Sequence, residues 1–254
     1  MKLEDVRAIV TGAASGIGRC CCLALARAGA QVAAGDVQAA GLQSLEAEAR
    51  DLPGRVTALP LDVTQETAVK AFVAEAARRI GSVNTLVNSA GVLRDGWLVS
   101  RDAEGFARKL PTAQWRSVLD VNLTGPYLLA REVVAQMVEG GVRPGLVVNI
   151  SSITRAGNPG QSAYAASKAA LDALTRTWAL ELAPLGVRAA GIAPGLTDTP
   201  MAAQVPEAAR QEMLAKIPLG RMGRPEEIWL ALKFIVECDY FTGRVIDVDG
   251  GANF

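Results

Sequence analysis

No histidine occurs anywhere in the 254 residues of this chain. That absence removes Ser-His-Asp hydrolases, Cys-His proteases and every His-ligated metal centre, and leaves proton chemistry to Tyr, Lys, Asp, Glu or Cys. Charge of one sign is not in excess either. There are 26 basic and 26 acidic side chains and no Lys/Arg-dense block, which argues against nucleic acid or an anionic membrane as the main partner. No uninterrupted apolar run approaches the ~18 residues of a membrane span. The opening Met1-Lys2-Leu3-Glu4-Asp5 lacks the apolar core of a signal peptide. Of the four cysteines, Cys20, Cys21 and Cys22 are consecutive and Cys238 stands alone. Neighbours on a helix point in different directions, so this is neither a disulfide framework nor a zinc spacing. The expected compartment is the reducing cytoplasm. Repeats, low-complexity tracts and linkers are also missing, and the length suits one large core, so residues 1–254 read as a single domain.

What is present begins with an apolar run over residues 6–11 that flows into Thr11-Gly12-Ala13-Ala14-Ser15-Gly16-Ile17-Gly18. A helical stretch over 16–28 follows, closed by Gly29, and a second apolar run over 31–35 ends at Asp36. Strand, glycine turn, helix, strand and acid form the layout of a dinucleotide-binding βαβ unit. Its glycines let the backbone approach a pyrophosphate, whose charge rests on the helix N-terminus. Taken alone, a glycine turn of this kind often does no more than cap a helix.

The alternation continues. Strand-like runs at 55–61, 83–88, 146–150, 187–192 and 245–248 are separated by helical patterns near 65–80, 115–138, 162–185 and 225–238. This predicts an α/β fold, a Rossmann-type doubly wound parallel sheet of about seven strands with helices on both faces. Ligands in such sheets bind beyond the C-terminal strand ends, where Asp62-Val63, Asn88-Ser89-Ala90-Gly91, Ser151-Ser152 and Pro194-Gly195 fall.

Tyr164 and Lys168 stand four apart in a helical stretch, hence one above the other. At ~5 Å and an effective dielectric of about 20, an ammonium group stabilises a phenolate by roughly 3 kcal/mol, about 2 pKa units. The phenol then comes within reach of acid–base work near neutrality. The bland alternative is an exposed Tyr packed under a snorkelling Lys.

Together these features resemble the short-chain dehydrogenase/reductase family over essentially the whole chain. The resemblance is carried by Thr11-Gly12…Gly16-Ile17-Gly18, Asp62-Val63, Asn88…Ala90-Gly91, Asn122 in Val121-Asn122-Leu123, Ser152, Tyr164…Lys168, Pro194-Gly195…Thr199 and Asp249-Gly250-Gly251. It implies a proton exchanged between Tyr164 and the substrate oxygen, with Ser152 hydrogen-bonded to that oxygen. Lys168 would hold the nicotinamide ribose and keep the phenol acidic, and Asn122 would bind a water that continues the relay. A nicotinamide dinucleotide would rest on Gly12, Ser15, Gly16, Ile17, Gly18, Asp36, Asp62, Val63, Asn88, Ala90, Gly91, Tyr164, Lys168, Pro194, Gly195, Thr197 and Thr199. Asn122 could instead merely kink its helix, Ser152 could cap a turn, and the fold could serve a silent dinucleotide sensor or scaffold.

Asp36 favours NAD(H): a carboxylate there accepts bonds from both adenosine ribose hydroxyls and repels a 2′-phosphate, and Ala14, Val37 and Gln38 offer no cation. Against the family pattern, Ser152 lies one residue too close to Tyr164, so Ser151 competes for the catalytic role; the phrase Asn149-Ile150-Ser151-Ser152 favours Ser152. The span from Gly91 to Asn122 is long, with a surface excursion expected near 100–110. Overall the pattern lies nearest 3-oxoacyl reductases and 3-hydroxyacyl dehydrogenases. Leu180 and Val138-Glu139-Gly140 stand where carrier-protein-dependent members place basic residues, which predicts a free or CoA-linked hydroxy/keto substrate, or another secondary alcohol. Residues 196–218, with Pro200, Met201, Pro206 and Met213, are expected to cover it. The helix at 162–185 is apolar on more than one face, which predicts burial against a second subunit, and the family resemblance implies a homotetramer.

Overall fold

The computed structural model describes residues 1–205 and 207–252; Pro206 of the expected substrate-covering segment lies outside them. Seven parallel strands form the main sheet: β1 (Arg7–Thr11), β2 (Gln31–Asp36), β3 (Arg55–Pro60), β4 (Thr85–Asn88), β7 (Gly145–Ile150), β8 (Val187–Pro194) and β9 (Val245–Val248). Their order is β3-β2-β1-β4-β7-β8-β9. The chain winds outward from β1 to β3, then crosses back to β4 and winds the other way. The strand order therefore reverses between β1 and β4, and a crevice opens beyond their C-terminal ends.

Strand residues alternate between two cores. Val10, Ala34, Val148 and Ile150 pack on one face under α1 (Gly16–Arg27), α2 (Ala39–Glu48) and α8 (Pro225–Glu237). Ile9, Ala33 and Val147 pack on the other face under α3 (Glu66–Ile80), α5 (Gly125–Glu139) and α6 (Ser162–Leu182). A sheet covered on both faces explains why its strands read as continuous apolar runs.

Several elements refine or depart from the sequence reading. The helix expected over 115–138 is α4 (Thr112–Leu119) and α5 joined by a π-turn at Asp120–Thr124, with Asn122 buried in it. The expected excursion is an antiparallel hairpin of β5 (Val99–Arg101) and β6 (Ala107–Lys109), closed by Asp102, whose carboxylate accepts the backbone N–H groups of Glu104 and Phe106. The hairpin is moored to the main body where the Gly96 N–H donates to the Gly160 carbonyl at 2.8 Å. Finally α2, with only Leu42 and Leu45 buried, and α7 (Glu207–Ala215), with no buried residue, carry too weak an apolar stripe to announce themselves.

Candidate active site

A cavity of about 360 Å³ runs from the C-terminal end of β2 across β1 and β4 to the start of α6. At one end the chain after β1 must pass hard against the chain after β4. The Thr11 hydroxyl accepts the N–H groups of both Ser89 and Ala90 at 3.1 Å. Gly12 follows with φ +65°, and a Cβ there would sit 2.8 Å from the Ala90 backbone. A Cβ on Gly18 would lie 2.3 Å from the Gly12 carbonyl oxygen, so α1 docks on the turn only because glycine stands there. Ser15 caps α1 without a side-chain bond, which leaves the first-turn N–H groups at Gly16, Ile17 and Gly18 facing the cavity as an anion seat.

The Asp36 carboxylate is fixed at the end of β2 by the N–H of Ala14 (3.0 Å) and that of Gln38 (2.9 Å). Asp62 and Val63 line the wall after β3, Ala90 and Gly91 the wall after β4, and Pro194, Gly195, Thr197 and Thr199 the wall after β8. The Thr197 and Thr199 hydroxyls donate to the carbonyls of Gly195 (3.1 Å) and Thr197 (3.3 Å), which stiffens that turn. Among the described residues, Lys168 is the only lysine or arginine lining the cavity. The glycine cradle, helix N-terminus and carboxylate all fit a dinucleotide.

Asn88 does not join them. Its side-chain amide donates to Asn149 Oδ1 at 2.9 Å, Asn149 donates to Thr175 Oγ1 at 2.9 Å, and Thr175 to the Leu171 carbonyl at 2.9 Å. This buried ladder ties β4 and β7 to α6. Asn88 is absent from the cavity lining, and its side-chain amide is engaged in the sheet interior.

At the opposite end Ser152, Tyr164 and Lys168 converge. Lys168 is 4% exposed, its ammonium donates to the Ile150 carbonyl at 2.8 Å, and it lies 5.6 Å from the centre of the Tyr164 ring. Burial lowers its pKa to about 8, against the opposing pull of Asp172. The Tyr164 phenol is raised above its ordinary value because burial disfavours the phenolate; hydrogen bonding with Ser152 opposes the rise, and the charge of Asp95 adds to it. The lowering expected from the helical neighbour does not set the direction: burial pushes the phenol up, and the Ser152 hydrogen bond opposes it.

The two serines point apart. Ser152 faces Tyr164 and accepts the Thr154 N–H at 3.1 Å. Ser151 turns its hydroxyl toward the Lys168 carbonyl (3.4 Å) and Asp172. Asn122 uses its whole amide as a clamp: Oδ1 accepts the Val92 N–H (2.8 Å), while Nδ2 donates to the Val92 carbonyl (3.0 Å) and to Ser167 Oγ (3.3 Å). Both amide hydrogens are thereby used, so a water beside Lys168 meets this side chain only as an acceptor. Asn122 both sits in the break of its helix and fixes the strap of chain that forms the cavity wall.

Sequence reasoning missed Val92, Thr11 and Gln161 as parts of the site. Gln161 lines the cavity one helical turn before Tyr164 and donates to Asp95 Oδ2 at 3.2 Å. That spacing was available as a signal; the role of Val92, through its backbone alone, was not.

Known proteins resemble the chain along its whole length. A family model described as enoyl-(acyl carrier protein) reductase matches residues 12–253. A 3-oxoacyl-(acyl-carrier-protein) reductase of Thermotoga maritima is 42% identical over 99% of both chains. The chain belongs to the short-chain dehydrogenase/reductase family. It is an oxidoreductase of a family that uses a nicotinamide dinucleotide. Other family relatives include a cis-4-hydroxycyclohexanecarboxylate dehydrogenase of Sinomonas cyclohexanicum, 38% identical over 96% of this chain and 95% of that one. A (3R)-3-hydroxyacyl-CoA dehydrogenase of Rattus norvegicus is 36% identical over 99% of this chain and 97% of the relative. A crystal structure of a short-chain type dehydrogenase/reductase from Mycobacterium marinum superimposes with a TM-score of 0.87 at 32% identity, covering 98% of this chain and 96% of that one.

The opposing effects on Tyr164 make a spectroscopic prediction. The chain has three tyrosines, so the tyrosinate absorbance of the wild type minus that of Tyr164→Phe isolates this one phenol. It should ionise above the ordinary phenol range, and Ser152→Ala should push it higher still, whereas Ser151→Ala should leave it unmoved.

Proposed function

We propose that this protein is an NAD(H)-dependent dehydrogenase that interconverts a secondary alcohol and a ketone, on a 3-hydroxyacyl/3-oxoacyl thioester or a related hydroxy/keto compound. The observation that carries this reading is the convergence of Ser152, Tyr164 and Lys168 at one end of a cavity whose other end is Asp36. The bound nicotinamide would supply or accept the hydride; the protein contributes orientation and electrostatics. In the reducing direction Tyr164 donates its phenolic proton to the substrate oxygen while the Ser152 hydroxyl hydrogen-bonds the same atom. The Lys168 ammonium, charged below about 8, faces the phenolate that forms and stabilises it. Lys168 would then reprotonate the phenolate, and a water that donates a hydrogen bond to Asn122 Oδ1 would replace the proton Lys168 has given up.

For the coenzyme, each Asp36 oxygen keeps a free lone pair beyond its backbone bond, suited to a pair of ribose hydroxyls. A 2′-phosphate would meet that carboxylate with no lining cation nearby. Arg19, the basic residue on the adjacent helix, is spent on Glu48 at 2.7 Å and on the Gly41 carbonyl at 3.2 Å. Like charges in contact cost several kcal/mol, so kcat/KM with NAD should exceed that with NADP by about 100-fold or more. Steady-state kinetics giving comparable values would refute the assignment.

Leu196, Pro200, Met201, Val205 and Met213 give the substrate end an apolar wall suited to an acyl or aromatic group. Leu180, 80% exposed, and the exposed Val138-Glu139-Gly140 offer an acidic carrier protein nothing to grip. We expect 3-hydroxyacyl-CoA or free secondary alcohols to reduce NAD⁺, and Tyr164→Phe to abolish that activity. Turnover of an acetoacetyl carrier protein at micromolar concentration would contradict the preference. The apolar side chains exposed on α5 and α6, Tyr127, Val138 and Leu180, support a homotetramer; a single-subunit mass by sedimentation would oppose it.

A further inference from the structure

Behind the reacting groups lies a knot of charge that the chemistry above leaves unused. Arg155 stands in the 3-10 turn Ile153–Ala156, directly after Ser152. Its guanidinium reaches three ways: Nε to Asp172 Oδ2 at 2.8 Å, Nη2 to Asp247 Oδ1 at 2.7 Å, and Nη1 to the carbonyl of Ser152 itself at 3.3 Å. Asp172 lies one helical turn beyond Lys168 on α6 (172 − 168 = 4), and Asp247 lies on β9. The Arg155 and Asp172 side chains are 25% and 14% exposed, so this pair is better shielded from water than a surface ion pair. One guanidinium therefore joins the turn that presents Ser152, the helix that presents Tyr164 and Lys168, and the edge of the sheet.

The segment between Ser152 and Tyr164 is the one that runs a residue short of the family's usual spacing. With less chain to spare, the reach of Ser152 toward Tyr164 depends on how closely the turn is drawn onto α6. We propose that Arg155 and Asp172 are positioning residues, a clasp that seats Ser152 Oγ against Tyr164 and sets the electrostatic environment of Lys168. The proposal rests on the reading of Ser152, Tyr164 and Lys168 as the reacting set.

Lys168 is faced by the Tyr164 ring, the Ile150 carbonyl, Asn122 across Gly91, and the charge of Asp172. Arg155, Asp247 and Arg176 act in turn on Asp172. The Asp172 carboxylate works against burial by favouring the charged ammonium. Removing that charge makes Lys168 give up its proton at lower pH.

The test compares Asp172→Asn, Arg155→Met and Arg155→Lys with Asp247→Asn, whose carboxylate is half exposed. Asp172→Asn and Arg155→Met should lower kcat by about tenfold to a hundredfold, as small misplacements at reacting groups do, with the KM for NAD within about twofold. The alkaline limb of ketone reduction should move to lower pH in Asp172→Asn. In Arg155→Met the tyrosinate titration of Tyr164 should move upward, in the direction expected for Ser152→Ala. Arg155→Lys should recover part of the loss, and Asp247→Asn should stay near wild type. Wild-type kcat, pH limb and Tyr164 titration in the first two variants overturn the clasp, as does a lowered melting temperature with those three unmoved. Should Arg155→Met fail to fold, Arg155→Lys and Asp172→Asn decide by the same readouts. If the wild-type chain oxidised no alcohol, the assigned activity would fall while the Tyr164 titration still tested the clasp.

Discussion

One ammonium group, buried at the start of α6, constrains everything around it. Burying a charge of that kind is costly unless it is hydrogen-bonded and offset by opposite charge. The structure meets the cost with the Ile150 carbonyl at the end of β7 and with Asp172 a helical turn away. Those two demands fix the distance between the central sheet and α6 and the rotation of the helix about its axis. The same rotation presents Tyr164 to the cavity and places Ser152 opposite it. The convergence of Ser152, Tyr164 and Lys168 is in this sense the by-product of satisfying a single buried cation.

A second constraint operates at the far end, where the sheet changes its winding direction. Thr11, Gly12 and Ala90 bring two chain turns into backbone contact, and no side chain larger than hydrogen fits between them. A glycine-lined cradle results, flanked by the N-terminus of α1 and by the Asp36 carboxylate at the end of β2. The two ends are rigidly related because β1, β4 and β7 are adjacent strands of one sheet.

Much of this was legible in the residues. The seven main strands emerge because each is a short apolar run ending in glycine, proline, aspartate, asparagine or serine, and the parallel sheet covered on both faces follows from the alternation with helices. Asp36, the glycines and the Tyr164–Lys168 spacing are local patterns with direct chemical meaning. What stayed hidden depends on tertiary structure. The side-chain direction of Asn88 is decided by Asn149 and Thr175, which are remote in sequence. The acidity of Tyr164 follows from burial, which no spacing reports, and the choice between Ser151 and Ser152 turns on which way a strand end twists. Hairpin β5–β6 escaped because nearly all of its residues face solvent, leaving no apolar alternation to read.

The break at Asp120–Thr124 has a consequence for how the chain tolerates change. A wide turn holds one residue more than an α-turn, so α4 and α5 are out of helical phase by about 100°. Removal of a single residue from that turn would straighten the helix and rotate α4, with its buried Val118, relative to α5. A substitution there is a matter of side-chain loss, whereas a deletion re-phases an entire helix, and the reading frame of its faces is stored in that one extra residue.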